Sequence, residues 1–122
     1  MPNKGIEKVY AVVCVADFEA ALRWYEGLLG RSPDHAPADG LAEWHLGGHA
    51  AIQVYLDPDR AGDSLLTLSV SDVDKYAKVI AGNGLDPEEP ENTDGGYRVS
   101  TLADPSGNTV TLAQPVVPDS AR

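Results

Sequence analysis

The sequence predicts an α+β domain built from two similar halves, and three observations lead to this prediction. Residues 13–19 (VCVADFE) and 68–74 (LSVSDVD) follow one pattern 55 residues apart: an apolar strand end, a small residue, an aspartate and the start of a helix. Several short segments alternate apolar and polar residues, which is typical of half-buried strands. Two segments instead carry apolar residues at helical spacing. Because neither half could cover its own sheet, we expect the two halves to pair.

The first half is predicted to run from a strand through a helix into about three further strands. Residues 8–15 are apolar and β-branched, as expected of a buried strand. The apolar spacing of residues 17–29 predicts a helix with Asp17 as its N-cap, and Gly30 ends it. Residues 31–40 form a loop or a short edge strand, because prolines interrupt them.

A hairpin is predicted at the dipeptide 47–48 (GG), between strands over residues 41–46 and 49–56. If these two glycines alone form the turn, Trp44 shares a face with Tyr55. A slip of one residue would reverse this placement, because successive side chains of a strand point to opposite faces.

The second half repeats the order of the first. We predict a strand over residues 64–70, a helix from the Ser71-Asp72 cap to about residue 83, and an acidic connector over 86–94 with room for a short edge strand. The stretch 97–113 then reads as two strands joined by a turn at 104–108 (DPSGN). On the last strand Val110 and Leu112 face one way, and the small or hydroxylated residues 109, 111 and 113 face the other, where a small ligand could lie.

The chain of 122 residues is predicted to be a single domain, residues 1–122. Its two modules span about residues 7–57 and 63–114, and the proline-bearing tail at 115–122 is predicted to be flexible. The net charge of −10 argues against nucleic acid as a partner. The sequence contains no apolar run of membrane-spanning length, and its N-terminus lacks an apolar signal region, so we expect a cytoplasmic protein.

This arrangement resembles the vicinal oxygen chelate superfamily, which includes glyoxalases, extradiol dioxygenases and bleomycin-resistance proteins. The opening of each repeat, the residues 24–30 (WYEGLLG), the motif at 95–98 (GGYR) and the turn at 104–108 (DPSGN) carry the resemblance. It implies two paired βαβββ modules. It also implies a homodimer whose clefts lie between modules of different subunits. The nearest members by resemblance are the bleomycin-resistance-like proteins that hold no metal.

The enzymes of this superfamily hold a divalent metal with histidine and glutamate on inward-facing strand positions, two in each module. The resemblance places these positions at Tyr10, Gln53, Leu65 and Thr111. A divalent ion prefers carboxylate or imidazole ligands, and none of these four residues supplies one. We therefore expect no metal and no cofactor.

Three other residues could carry chemistry. His45 and His49 flank the glycine pair, but in the predicted register they fall on opposite faces, so we interpret them as exposed hairpin residues rather than metal ligands. The single cysteine, Cys14, excludes an internal disulfide. It has no cation or histidine beside it in the sequence, so we interpret it as a small packing residue.

The sequence thus favours a metal-free protein that binds a small molecule, such as an aromatic or cationic antibiotic or metabolite. The predicted cleft combines the four positions above with three aromatic residues as stacking surfaces: Tyr10, Gln53, Leu65, Thr111, Trp44, Tyr55 and Tyr97. One alternative is a lyase or isomerase of the glyoxalase kind with an atypical or absent metal site. Another is a structural or regulatory remnant whose own side chains fill the cleft.

Overall fold

The fold is described for residues 5–116 in a computed structural model. The first module contains one helix and four strands, in the order β1 (Val9–Val15), α1 (Phe18–Leu29), β2 (His35–Ala38), β3 (Leu41–Leu46) and β4 (Ala50–Leu56). Its sheet has the order β1-β4-β3-β2, in which only the β1–β4 pair is parallel.

The second module repeats this plan. Its elements are β5 (Leu65–Ser69), α2 (Val73–Gly82), β6 (Glu91–Asn92), β7 (Tyr97–Ala103) and β8 (Thr109–Pro115). They form a sheet of order β5-β8-β7-β6, again with the first pair parallel. The predicted α+β fold of two βαβββ modules is therefore confirmed.

Both helices begin at the predicted aspartates. The Asp17 carboxylate accepts a hydrogen bond from Ala20 N at 3.1 Å, and the Asp72 carboxylate accepts one from Lys75 N at 3.0 Å. Each bond satisfies a backbone donor that the first helical turn leaves free. Gly30 ends α1 with φ at 78°, a left-handed conformation that glycine adopts at low cost. Neither helix within residues 5–116 has the length and apolar character needed to cross a membrane.

One hydrophobic core joins the two modules on the helix side of both sheets. Trp44 and Val54 pack there with Tyr25 of α1, and Val110 and Ile80 come from the second module. Strand residues of one parity fill this core, so residues of the other parity lie on the opposite face of each sheet. That second face is where a ligand site can form.

Two side chains of the predicted turn at 104–108, Asp104 and Asn108, are buried and make contacts between the modules; we call it the junction turn. Asp104 accepts hydrogen bonds from Tyr25 Oη at 2.8 Å and from Asn108 Nδ2 at 2.9 Å. Asn108 Nδ2 also donates to Cys14 O at 2.8 Å, and Asn108 Oδ1 accepts from Ser64 N at 2.8 Å. Burial, and then Asp104, raise the pKa of the Tyr25 hydroxyl, so this proton stays in place. The turn therefore fastens the second module to β1 and α1 of the first.

The last strand extends further than predicted. β8 reaches Pro115, where Gln114 pairs with Arg98 and the Gln114 side chain accepts a hydrogen bond from Val73 N at 2.8 Å. Proline is tolerated because β5 ends opposite residue 113, so the strand beyond that point needs no further donor on this side. The predicted start of the flexible tail at residue 115 is thus wrong, because this residue belongs to β8. Residues 117–122 lie outside the described part of the chain.

Candidate functional site

The face of the first sheet that points away from the helices is called here the first open face. Strand pairing arranges it as three rows across β1, β4 and β3: Tyr10–Ala51–His45, Val12–Gln53–Glu43 and Cys14–Tyr55–Leu41. Tyr10 is 48% exposed and Tyr55 is 42% exposed, although both are large and aromatic. Accessible aromatic rings thus border a middle row whose polar members are Gln53 and Glu43.

Four side chains form a continuous hydrogen-bonded cluster on the first open face. Lys8 Nζ lies 3.2 Å from His45 Nδ1, and His45 Nε2 lies 3.0 Å from Glu43 Oε1. Gln53 Nε2 donates to Glu43 Oε2 at 2.7 Å. An ammonium group can only donate, so His45 Nδ1 must accept and the imidazole proton is assigned to Nε2, which donates to the carboxylate. The cluster therefore has one defined direction of donation, which ends at Glu43.

Glu43 is the buried charge of this cluster, with 6% of its surface exposed. The hydrogen bond from Gln53 is the main cause that holds the pKa of this carboxyl below its usual range. The bond from His45 and the nearby His35 act in the same direction, and burial opposes them. Glu43 is thus ionised at neutral pH in spite of its burial.

The corresponding face of the second sheet, called here the second open face, is chemically different. Its rows across β5, β8 and β7 are Leu65–Thr109–Ala103, Thr67–Thr111–Thr101 and Ser69–Ala113–Val99. These nine residues include hydroxyl groups but no charged and no aromatic side chain. Tyr97, the first residue of β7, extends this face beyond these rows and lines a cavity of about 420 Å³ with Thr67, Ser69 and Val99. Leu65 is 84% exposed, which is unusual for a leucine.

The structure brings together most of the predicted cleft residues, but on two faces. Tyr10, Gln53 and Tyr55 share the first open face. Leu65 and Thr111 share the second open face, with Tyr97 beside them. The sequence interpretation missed Glu43, His45 and Lys8 as partners of Gln53. The spacing of Glu43 and His45, two apart on one strand, was the available signal.

Trp44 does not lie where the sequence analysis placed it. Leu46 opposes Ala50 and Trp44 opposes Ile52, so the hairpin turn contains three residues, 47–49, instead of two. This shift of one residue moves Trp44 from the predicted open face into the core, where it is fully buried and donates to Arg31 O at 2.9 Å. The prediction of Trp44 as a stacking surface of the cleft is therefore wrong.

The same shift changes the roles of the two hairpin histidines. His49 falls in the turn and is exposed, as predicted. His45 lies on the first open face and bonds to Glu43, so the prediction that it is a simple exposed residue is wrong.

A second cavity lies along the seam between the modules. Cys14 N donates to Ser64 Oγ at 3.3 Å where β1 ends and β5 begins. Between other parts of the same two strands is a cavity of about 410 Å³. Val9, Ala11, Leu66 and Leu68 are among the residues that line it, and its lining is mainly apolar. It offers space for an apolar group but no charged group to orient one.

Comparison with known families identifies the class of protein that this architecture defines. The sequence profile of the Glyoxalase/Bleomycin resistance protein/Dioxygenase superfamily matches residues 9–112. The match includes both helices and most of both sheets. The chain therefore belongs to this superfamily. No curated protein matches the chain.

Solved structures share the fold over almost the whole chain. A glyoxalase/bleomycin resistance protein from Catenulispora acidiphila DSM 44928 is 32% identical, with a TM-score of 0.82 over 91% of this chain and 98% of its own. TnmS3, an antibiotic binding protein from Streptomyces sp. CB03234, is 23% identical, with a TM-score of 0.73 over 88% and 94%. A lactoylglutathione lyase from Agrobacterium tumefaciens is 16% identical, with a TM-score of 0.72 over 93% and 95%. The last two show the fold alone.

The four positions that the superfamily resemblance assigns to metal ligands do not fit a divalent ion. Leu65 has no donor atom, and Tyr10, Gln53 and Thr111 offer only neutral oxygen or nitrogen. Gln53 also turns its amide nitrogen to Glu43. Within residues 5–116, no three histidine, cysteine, aspartate or glutamate side chains form a group that could hold a metal ion. These four positions therefore do not provide the ligand set of the superfamily's metal.

Proposed function

We propose that this protein binds a small aromatic or cationic molecule without a metal ion. The observation that carries the proposal is the replacement of all four superfamily ligand positions by residues that do not fit a metal, while aromatic rings remain exposed around them. Tyr10 and Tyr55 provide these rings on the first open face. Exposed aromatic side chains beside a few hydrogen-bonding groups suit a planar ligand.

Sequestration of an antibiotic or metabolite fits this proposal. TnmS3, an antibiotic binding protein, has the same fold, so antibiotic binding is among the functions that this fold serves. A protein that only sequesters needs no covalent chemistry, and protection then follows from mass action. The net charge of −10 favours the approach of a cation. A cytoplasmic location stays part of the proposal.

The test combines metal analysis with ligand binding. Protein purified without chelator is analysed for bound Ni, Zn, Mn and Fe, and we expect far less than one ion per chain. The protein is then titrated with acridine and proflavine, two planar dyes, and binding is read from dye fluorescence and from thermal stabilisation. A stoichiometric metal would contradict the metal-free part of the proposal. If neither dye binds, the aromatic-ligand part fails.

A homodimer is the second part of this proposal. Leu65 and Val12 stay exposed on the two open faces of a single chain, and contact with a second copy would remove their apolar surface from water. The mass in solution, measured by light scattering after size exclusion, tests it. We expect Leu65→Asp to shift the protein toward monomer. Val79→Asp is the matched control, because Val79 is an exposed apolar residue on α2. A wild-type monomer would contradict the dimer.

A glyoxalase-like lyase or isomerase is a second candidate, and one observation favours it. The His45–Glu43 pair is a histidine oriented by a buried carboxylate, which is an arrangement that acid–base catalysis uses. Assay of the hemithioacetal of glutathione and methylglyoxal, followed by thioester absorbance, tests this candidate. Turnover that persists in chelator and is lost in His45→Gln would favour the enzyme over the binding protein.

A further inference from the structure

We infer that Gln53, oriented by Glu43, selects ligands that carry a cationic hydrogen-bond donor, such as a protonated aromatic amine. This inference rests on the proposed function, because it names the ligand chemistry of the same face. Gln53 is the contact residue, and Glu43 is a positioning residue that acts through it.

The orientation of the Gln53 amide follows from the cluster around Glu43. A carboxylate can only accept, so the amide group 2.7 Å from Glu43 Oε2 must be the NH2 group. The carbonyl oxygen, Gln53 Oε1, is therefore turned away from Glu43. In the described part of the chain the amide makes only this one hydrogen bond, and Gln53 is half-buried. Because Glu43 holds the NH2 side of the amide, the side of the amide that faces away from Glu43 is an acceptor.

Glu43 itself is too buried to be the main contact, but its charge acts at short range. Its carboxylate is hydrogen-bonded to the Gln53 amide and to His45, and only 6% of the residue is exposed. Charge in a partly desolvated site is screened less than charge in bulk water. A positive donor bound to Gln53 Oε1 would be attracted both by the amide dipole and by this carboxylate.

Lys8 does not cancel this preference. Its ammonium lies on the far side of the His45 imidazole, 3.2 Å from Nδ1, and 5.9 Å from the centre of the Tyr10 ring. In the cluster, His45 and Glu43 therefore separate this ammonium from the Gln53 amide, where the cationic donor would bind.

The second open face offers no equivalent. The position of Glu43 is taken there by Thr101, and the position of Gln53 by Thr111. Hydroxyl groups can donate and accept, so they do not distinguish a cationic donor from a neutral acceptor. The middle row of the second open face therefore lacks the fixed polarity of the Glu43–Gln53 pair.

The experiment compares proflavine, a planar cation with N–H donors, with acridine, which has the same ring system and is neutral. Affinities are measured for wild type, Glu43→Gln and Gln53→Met by fluorescence titration. We expect wild type to prefer proflavine. We expect both variants to lose about tenfold in proflavine affinity, the size of one hydrogen bond to a charged group, with acridine affinity unchanged within about twofold.

Glu91→Gln is the matched control, since Glu91 is exposed on β6 at the edge of the second open face and carries the same charge. It is expected to leave both affinities unchanged. Equal binding of the two dyes by wild type, or a proflavine loss in Glu91→Gln as large as in Glu43→Gln, would overturn the inference while the proposed function stands. Tighter binding of the anion anilinonaphthalene sulfonate than of proflavine would also overturn it. If no dye binds to wild type, the proposed function itself fails.

Discussion

The two modules share a backbone plan but differ in the turn before their last strand. In the first module, residues 47–49 form an exposed hairpin turn. In the second module, Asp104 and Asn108 of the junction turn are buried, with 4% and 1% of their surfaces exposed, and they bond to Tyr25 and Cys14. The repeat therefore preserves the hydrophobic pattern, while one copy of the turn has become the connection between modules.

The two open faces also differ between the modules, in the chemistry of their side chains. The first open face carries Glu43, His45 and Gln53 in one cluster, and the second carries a row of threonines, 67, 111 and 101. A packed helix-side face maintains the fold in both modules. The opposite face is free to diverge, because its residues contribute little to the core.

The largest expected effect tests the difference between the two turns. Asn108→Ala removes an amide that satisfies Cys14 O and two backbone N–H groups, so we expect a loss of about 3–4 kcal/mol in the free energy of unfolding. His49→Ala, in the exposed turn, should change it by less than about 0.5 kcal/mol. Urea unfolding followed by circular dichroism measures both. Similar losses in the two variants would contradict the distinction.

The next effect isolates a single bond of the junction turn. Tyr25→Phe removes the hydroxyl that donates to Asp104 at 2.8 Å, and we expect a loss of about 2 kcal/mol, typical of a hydrogen bond to a carboxylate. Tyr76→Phe is the control, because its hydroxyl donates to Leu28 O at 2.6 Å between the helices. Because this acceptor is neutral, loss of the hydrogen bond should lower the free energy of unfolding by only about 1 kcal/mol. The unfolding midpoints of the two variants are compared with that of wild type. A larger loss of stability in Tyr76→Phe than in Tyr25→Phe would contradict the prediction.

A smaller effect concerns the open faces and depends on the proposed function. Tyr10 and Leu65 occupy equivalent positions of the repeat. Tyr10→Leu gives the first open face the residue of the second, and the loss of one aromatic contact should weaken acridine binding about threefold to tenfold. Leu65→Tyr should not weaken it. Fluorescence titration measures both, and unchanged binding in Tyr10→Leu would place the dye elsewhere.

The smallest effect concerns the ion pair that fastens α2 to its sheet. Arg98 contacts Asp74 through two bonds, at 2.7 and 2.9 Å, and this contact holds the pKa of Asp74 below its usual range. A lowered carboxyl pKa stabilises the fold above the unfolded pKa of about 3.9, and the stabilisation is lost as the pH falls through the folded value. Asp74→Asn should therefore lower the unfolding midpoint slightly at pH 7. Midpoints measured across pH should converge below about pH 4; a constant difference would contradict this assignment.

Local signals were sufficient to predict most of the fold. The caps Asp17 and Asp72 and the alternation in β8 depend on residues close together in the chain, so pattern alone located them. The face of the sheet to which Trp44 points depends on whether the hairpin turn has two or three residues, which the sequence leaves open. The cluster at Glu43 required this register as well. The burial of Asn108 depended on Cys14, which is 94 residues away, so the motif was recognised only as a turn.

The junction turn also determines when, during synthesis of the chain, the contacts between the two modules can form. During synthesis, β1 and α1 leave the ribosome long before residue 108. Until then, Cys14 O and the Tyr25 hydroxyl lack their hydrogen-bond partners Asn108 and Asp104. Contacts of such long sequence separation slow folding, because most of the chain must first be brought together. The contacts that join the modules at the junction turn therefore form only after nearly the whole chain has been made.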